Sequence, residues 1–180
     1  MIQAKNDEQL KQILLPKIKE AVDLLVQKIW NENRELIRII VYEAYSPTRY
    51  NRTGEFKEAW DTDSTMNVIS GKVQGSFYYN PDKLTPGDDN PESPRYGQHV
   101  SAIDRFLMTE YLAEVIYQGL SGPAFGHGVE SGAWHEKRDV WTQLEKQLGR
   151  NKLKTWMKEC FDSVGLPVKS HGASWGFKKW

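Results

Sequence analysis

The apolar residues between Asp7 and Tyr45 recur every three or four positions, and this spacing constrains the fold more than any other feature of the chain. Such a repeat places the apolar side chains on one face of an amphipathic helix. Proline lacks the N–H that a helix interior requires but is tolerated in a first turn, so a helix either begins at Pro16 or is kinked there, and we expect the main helix to begin there. Residues 1–16 would then form a lead segment with a short turn of its own, and Pro47 would mark the end of the helix.

Two stretches of alternating polar and apolar residues follow, and they predict a β-hairpin. Residues 62–69 and 72–79 flank the dipeptide Ser70-Gly71, whose small residues suit a tight turn. Helical spacing of apolar residues, with glycines after the segments, predicts further helices at about 102–117, 139–148 and 151–164. The sequence therefore predicts an α+β fold in which a long N-terminal helix packs on a small antiparallel sheet, with additional C-terminal helices.

Residues 80–98 contain four prolines among Asp, Gly and Asn, which indicates a long exposed loop, because proline donates no backbone hydrogen bond. The sequence has no internal repeat and no change of composition that would divide it, so we expect residues 17–168 to form a single domain. Residues 169–180 follow as an aromatic tail. Because this tail is too short for a core of its own, its large side chains are expected to dock on their own domain or on a neighbour, namely Trp175, Phe177 and Trp180.

The chain is electrically balanced, with 24 basic and 24 acidic residues, and this argues against nucleic acid or an anionic membrane as a partner. The charges are unevenly distributed, however. Residues 61–98 carry six acids against three bases, a net charge of −3, and residues 137–180 carry ten bases against four acids, a net charge of +6. The acidic part includes Asp82, Asp88 and Asp89. This distribution indicates either an ordinary solvated surface or an acidic face that meets a basic face on the next copy in a ring.

The sequence gives little support to a catalytic site. The G-x-S-x-G pattern of a nucleophilic serine occurs once, at residues 172–176, but it lies in the C-terminal tail, where neither the strand nor the helix that flanks a nucleophile elbow is predicted. Cys160 is the only cysteine, and its neighbours fall at the spacing of a packed helical face. We therefore expect a buried thiol, no internal disulfide and a reducing compartment. The N-terminal stretch has no apolar core of signal-peptide length, so neither export nor membrane insertion is expected.

The histidines give little support to a metal site. None of the four is paired with another at i, i+4, and no Cys-x-x-Cys motif is present. His127 and His135 lie near Glu130 and Glu136 in a glycine-rich stretch, which indicates either ordinary loop polarity or a low-affinity metal site. We expect no catalytic residue, no cofactor and no metal.

One segment, VYEAYSPTRYNRTGEFKEAW, runs from Val41 to Trp60 and resembles the signature of tailed-phage neck and tail-completion proteins. In that family a long helix leads into a Tyr-x-Pro turn, followed by Tyr-x-Arg-Thr-Gly and an aromatic residue. The matching positions here are Tyr45, Pro47, Tyr50, Arg52, Thr53, Gly54 and Trp60. Later segments look like the family's hairpin, its helix and glycine loop, and its closing helices, with Gly119, Gly122 and Trp141 among the matching residues. The likeness covers about residues 17–168.

This resemblance implies a structural protein of the virion rather than an enzyme. The subunit would sit at the phage head–tail junction, in the neck or tail, after synthesis in the host cytoplasm. Its partners would be copies of itself in a homo-oligomeric ring, together with portal or adaptor proteins and tail-terminator or tail-tube proteins. No membrane, sequence-specific nucleic acid or cofactor is implied.

Other interpretations of the same residues remain open. Thr53 and Gly54 also fit an ordinary helix entry, in which Thr53 caps a short amphipathic turn that contains Phe56 and Trp60. The seven tryptophans and eight tyrosines also suit a carbohydrate-binding module or a small hydrolase, because aromatic rings stack on sugars. A phage-encoded inhibitor of a host factor is a third interpretation.

Overall fold

A computed structural model of the protein describes residues 6–44, 53–85, 109–110, 112–118 and 138–168. Its elements are helix α1 (Asp7–Ile37), a π-helical turn (Arg38–Tyr42), helix α2 (Glu55–Glu58), strands β1 (Trp60–Asn67) and β2 (Lys72–Tyr79), a 3-10 turn (Pro81–Lys83), helix α3 (Leu112–Gln118) and helix α4 (Val140–Ser163). The two strands form one hairpin sheet. The predicted α+β fold, with a long N-terminal helix, a small antiparallel sheet and C-terminal helical structure, is confirmed.

Helix α1 runs through Pro16, so the prediction that the main helix begins at this proline is wrong. The helix begins at Asp7 because the side chain of Asn6 caps it: Asn6 Oδ1 accepts the N–H of Gln9 at 2.8 Å. Pro16 deprives one carbonyl of its donor, but Leu15 beside it is buried, and packing of the apolar stripe holds the helix across the gap.

The helix ends in a π-helical turn, in which the N–H of Glu43 bonds to the carbonyl of Arg38 at 2.9 Å. The guanidinium of Arg38 forms ion pairs with Glu35 and Glu43 on the surface. The hydrogen bond from Arg38 holds the pKa of Glu35 below its ordinary value. Exposed pairs of this kind contribute little to stability, so the turn is fixed mainly by its backbone bonds.

Strand β2 begins and ends as predicted, but β1 ends at Asn67, two residues before the predicted end at Ile69. Val68 and Ile69 lie in the turn instead. Two features close this turn early: Asn67 Oδ1 accepts the N–H of Ser70 at 2.9 Å, and Gly71 has a φ of +64°, which suits glycine.

Helix α4 confirms the predicted break between two C-terminal helices. Gly149 interrupts it with a φ of 42° and a ψ of 166°. Asp139 caps its start by accepting the N–H of Thr142 at 3.0 Å. Gly165, with a φ of +75°, ends it, and the N–H of Leu166 returns to the carbonyl of Phe161 at 2.9 Å. Of the helix predicted at 102–117, residues 112–117 are helical and residues 109–110 form a turn, and the other positions lie outside the described residues.

The chain divides into two compact units. The first unit comprises Met1–Asn31, Asp61–Tyr78 and Glu145–Trp180, and the second comprises Glu32–Trp60 and Tyr79–Leu144. The earlier expectation of a single domain over residues 17–168, with a lead segment and a tail, stays a prediction.

In the first unit α1 packs against α4 and against the hairpin. Ala21 and Leu25 form a buried cluster with Cys160 and Phe161, as expected for a core cysteine. Burial raises the pKa of the Cys160 thiol. The charge of Lys28 lowers this pKa slightly, and the charge of Glu159 raises it slightly. Gly75 of β2 lies directly on α1. No helix in the described part of the chain is long and apolar enough to cross a membrane.

A lysine connects α1 to α4 at the edge of this core. The Lys28 ammonium lies 2.5 Å from the carboxylate of Glu159 and 5.8 Å from the centre of the Trp156 ring. Lys152 approaches the same ring at 4.8 Å. These contacts cover Trp156, which is therefore part of the packing between the helices.

Candidate interaction surfaces

The second unit contains a cluster of four aromatic rings. Its central ring belongs to Trp60, which is 3% exposed. Trp60 meets Trp141 edge to face, with ring centres 4.9 Å apart and planes at 80°. Phe56 and Tyr79 complete the cluster, with ring centres 6.1 Å and 5.4 Å from that of Trp60. Edge-to-face pairs exploit the ring quadrupole in addition to burying apolar area, so this cluster contributes to the stability of the unit.

Helix α2 positions the cluster, and its sequence explains how. Gly54 precedes the helix with a φ of +80°, a left-handed conformation that other residues adopt only with strain. The N-cap position is Gly54 and not Thr53, so the expected Thr53 cap is not formed, although Thr53 Oγ1 accepts the N–H of Glu55 at 3.3 Å. The Glu55 carboxylate in turn accepts both the N–H and the hydroxyl of Thr85, at 3.0 and 2.9 Å. Phe56 is thereby held inward against Trp60.

The phenol of Tyr79 is the polar edge of the cluster. Its hydroxyl donates a hydrogen bond to the carbonyl of Thr109. Burial, reinforced by the charge of Glu110, raises the pKa of Tyr79 well above its ordinary value. The phenol therefore stays protonated and acts as a fixed donor over the physiological range.

A small cleft beside the cluster has room for about one water molecule. Its walls are mostly apolar, with Ile37, Ile116 and Val140 among them, and Arg138 contributes a cation. Ligand pockets usually measure about 300–1,000 Å³. This cleft is far smaller, and we assign it to packing.

Asn33 is the one fully buried polar side chain of helix α1, with 0% of the residue exposed. Neither its Nδ2 nor its Oδ1 has a hydrogen-bond partner in the described structure. An unsatisfied buried amide costs about 1–3 kcal/mol. The amide therefore lowers the stability of the second unit.

In the first unit the turn of the hairpin projects two apolar side chains into solvent. Ile69 is 93% exposed and Val68 is 46% exposed, whereas the residues of β2 alternate between half-buried and exposed. We call Val68 and Ile69 the hairpin tip. On the inner side of the same hairpin, the hydroxyl of Ser64 donates to the carboxylate of Asp23 on α1.

The structure brings together two of the residues that carry the family resemblance, Trp60 and Trp141, and it places Thr53 and Gly54 at the entry to the same cluster. Asp82 lies in the exposed 3-10 turn, where its N–H is accepted by Asn80 Oδ1 at 3.0 Å. The remaining predicted site residues lie outside the described residues: Tyr45, Pro47, Tyr50, Arg52, Asp88, Asp89, Gly119, Gly122, Trp175, Phe177 and Trp180. All four histidines also lie outside the described residues.

The sequence interpretation missed the hairpin tip and Asn33. A signal for the tip was present, because Val68 and Ile69 adjoin the Ser-Gly pair on which the turn was predicted. Nothing in the sequence marks Asn33 except that it lies one helical turn before Ile37 on the apolar stripe.

The described side chains form no group of three His, Cys, Asp or Glu that would hold a metal ion. Comparison with protein families, with curated proteins and with solved structures finds no match to this chain.

Proposed function

We propose that the chain is a structural subunit of a tailed-phage particle, located in the neck or tail at the head–tail junction. In this proposal it acts through ring-forming contacts with copies of itself and through contacts with portal or adaptor and tail proteins. The observation that supports the proposal is the Trp60–Trp141 pair. These two residues of the resemblance are 81 positions apart in the sequence, and their rings are in direct contact.

The distribution of apolar residues in the structure is consistent with a protein that works through its surface. The aromatic rings of the second unit pack on each other, and the adjacent cleft has room only for about one water molecule. The hairpin of the first unit instead exposes apolar side chains, a feature that marks contact sites when the side chains are contiguous. A subunit of a ring requires such surfaces and no reactive pocket.

The test is to locate the chain in particles of the phage that encodes it. We expect antibodies against the chain to label the head–tail junction in electron micrographs, and mass spectrometry of purified virions to detect it. Deletion of the gene should yield filled heads without attached tails, and expression from a plasmid should restore joined particles. Virions that lack the chain, or a deletion with normal particles, would refute the proposal.

Three of the described tryptophans, Trp60, Trp141 and Trp156, do not favour the carbohydrate-binding alternative. Trp60 is buried, Trp141 packs edge to face against it, and two lysines cover Trp156. A sugar-stacking site needs an open ring face. Binding to a glycan array that is lost in Trp134→Ala or Trp175→Ala would nevertheless favour that alternative over a virion role.

A further inference from the structure

The hairpin tip contradicts the local preferences of its own residues. Valine and isoleucine favour strands, whereas turns are usually built from Gly, Asn, Asp, Ser or Pro. Here both residues occupy the turn, and Ile69 is 93% exposed. Places where local preference and structure disagree are commonly functional, because folding alone does not select such residues there.

Two features define the backbone of the turn that carries the tip. Asn67 Oδ1 accepts the N–H of Ser70 at 2.9 Å across the turn, and Gly71 closes it at a φ of +64°. Neither feature depends on Val68 or Ile69. A fixed apolar anchor loses little conformational entropy when it is buried by a partner, so the same contact area gives tighter binding.

Two cations flank the tip. The Lys11 side chain of α1 lies beside Gly71, with its Cε 3.6 Å from the position that a Cβ of residue 71 would take. Lys72 follows directly as the first residue of β2. Both lysines are exposed, and neither takes part in an ion pair with the described residues. The tip is thus an apolar pair with a positively charged rim.

We propose that the hairpin tip is an anchor that docks into a protein pocket with an apolar floor and a rim of carboxylates. This inference rests on the proposed function and specifies the chemistry of one partner, which is another protein of the particle. Apolar anchors in desolvated pockets carry most of the energy of an interface, and complementary charge around them fixes the choice of partner.

Within the described residues, the cleft of the second unit does not fit the tip of another copy. The cleft described in the second unit has room for about one water molecule and carries the guanidinium of Arg138, which would face the tip lysines with the same sign of charge. A bilayer is also disfavoured, because two aliphatic side chains bury much less area than a stable lipid anchor. Both remain as outcomes of the test.

The test is site-specific photo-crosslinking during particle assembly, with the full chain supplied in place of the native copy. The photoreactive residue replaces Ser70, next to the tip, and a matched control places it at the exposed Gln74 of β2. We expect cross-links from position 70 to one segment of another virion protein that is rich in Asp or Glu, and few from position 74.

Variants in the same background separate the anchor from its rim. Ile69→Ser should lower the cross-link yield by about 10-fold or more, the value of burying one aliphatic side chain. Lys72→Glu should also lower it, and reversal of the facing carboxylate on the partner to lysine should restore it. Leu24→Ser, at another exposed apolar residue, should leave the yield unchanged. Thermal melts should show that all these variants fold, because the substituted side chains are exposed.

Cross-links to a second copy or to lipid, or a yield that Ile69→Ser does not change, would overturn the inference. These results are independent of whether the chain is in the virion. If the chain is missing from particles but position 70 still reaches an acidic pocket of another protein in infected cells, with the same dependence on Ile69 and Lys72, the proposed function fails and the anchor stands.

Discussion

The indole rings of Trp60 and Trp141 meet edge to face, with centres 4.9 Å apart, and so connect the start of β1 to the first turn of α4 within the second unit. Edge-to-face pairs add about 0.5–1.5 kcal/mol beyond the area they bury. We expect Trp60→Leu and Trp141→Leu each to lower the free energy of unfolding. The double variant should lose about 0.5–1.5 kcal/mol less than the sum of the two.

Urea denaturation followed by circular dichroism measures these free energies without relying on tryptophan fluorescence. The control is a second double-mutant cycle in which Gln143→Ala takes the place of Trp141→Leu. Gln143 is exposed and lies two residues further along the same helix, so its effect on the unfolding free energy should simply add to that of Trp60→Leu. A coupling within experimental error for the tryptophan pair would show that the ring geometry contributes nothing specific.

Gly75 lets β2 lie directly on α1. A Cβ at this position would overlap Cγ2 of Val26 and lie 2.7 Å from Cγ1 of Val22, so a larger residue requires the hairpin to move away. We expect Gly75→Ala to cost about 1–3 kcal/mol of stability, the usual penalty of overpacking.

A second substitution tests the cause of this loss. Val26→Ala removes the closest methyl groups, so Gly75→Ala should cost less in that background than in the parent. Gln74→Ala, on the exposed side of the same strand, should change the unfolding free energy by less than about 0.5 kcal/mol. If Gly75→Ala melts at the temperature of the parent, the close packing of hairpin on helix is contradicted.

Local rules predicted the elements that local residues decide. Gly149 and Gly165 end helical segments through their own backbone conformations, and β2 begins and ends where its alternation does. The start of α1 could not be predicted in the same way. Proline is favourable in the first turn of a helix, which suggested a start at Pro16, but the packing of apolar residues on both sides of Pro16 keeps the chain helical through it. The end of β1 depended on one side-chain hydrogen bond of Asn67, which outweighs the strand preference of Val68 and Ile69.

The candidate site was less accessible to sequence than the fold. The resemblance selected Trp60 and Trp141 separately, but no periodicity relates positions so far apart, and only the folded chain shows them as a pair. The exposure of Ile69 likewise follows from where the turn closes, a tertiary outcome that its hydrophobic side chain alone would not indicate.

The carboxylate of Asp23 joins α1 to the hairpin and makes stability depend on pH. Burial alone would raise its pKa, but hydrogen bonds from Ser64 and Lys19 outweigh this and hold the pKa below the ordinary 3.8. Because the pKa is lowered by folding, the contribution is present above about pH 4 and is lost as the pH falls through the folded value.

We therefore expect Asp23→Asn to destabilise the protein near neutral pH by less than about 1 kcal/mol, since the side chain is 48% exposed. The difference from the parent should shrink in urea titrations below about pH 4. It should also be smaller in a Ser64→Ala background, where one of the stabilising donors is missing. A difference that stays constant with pH would mean that the charge of Asp23 plays no part.

The buried amide of Asn33 gives the opposite expectation, a substitution that stabilises. Both amide atoms are without hydrogen-bond partners in the described structure, although the residue is 0% exposed. Asn33→Leu keeps the branching and the number of side-chain heavy atoms, although its methyl groups are bulkier, and it removes the desolvation penalty. The unfolding free energy should therefore rise, by up to about 1–3 kcal/mol. Asn31→Leu, at an exposed position two residues earlier in the same helix, is the matched control and should change the unfolding free energy by less than about 0.5 kcal/mol.

Equal melting temperatures for Asn33→Leu and the parent would mean that water or a rearranged neighbour satisfies the amide in solution. A gain in stability with a loss of assembled particles would instead show that Asn33 is retained for a bond made only in the assembly.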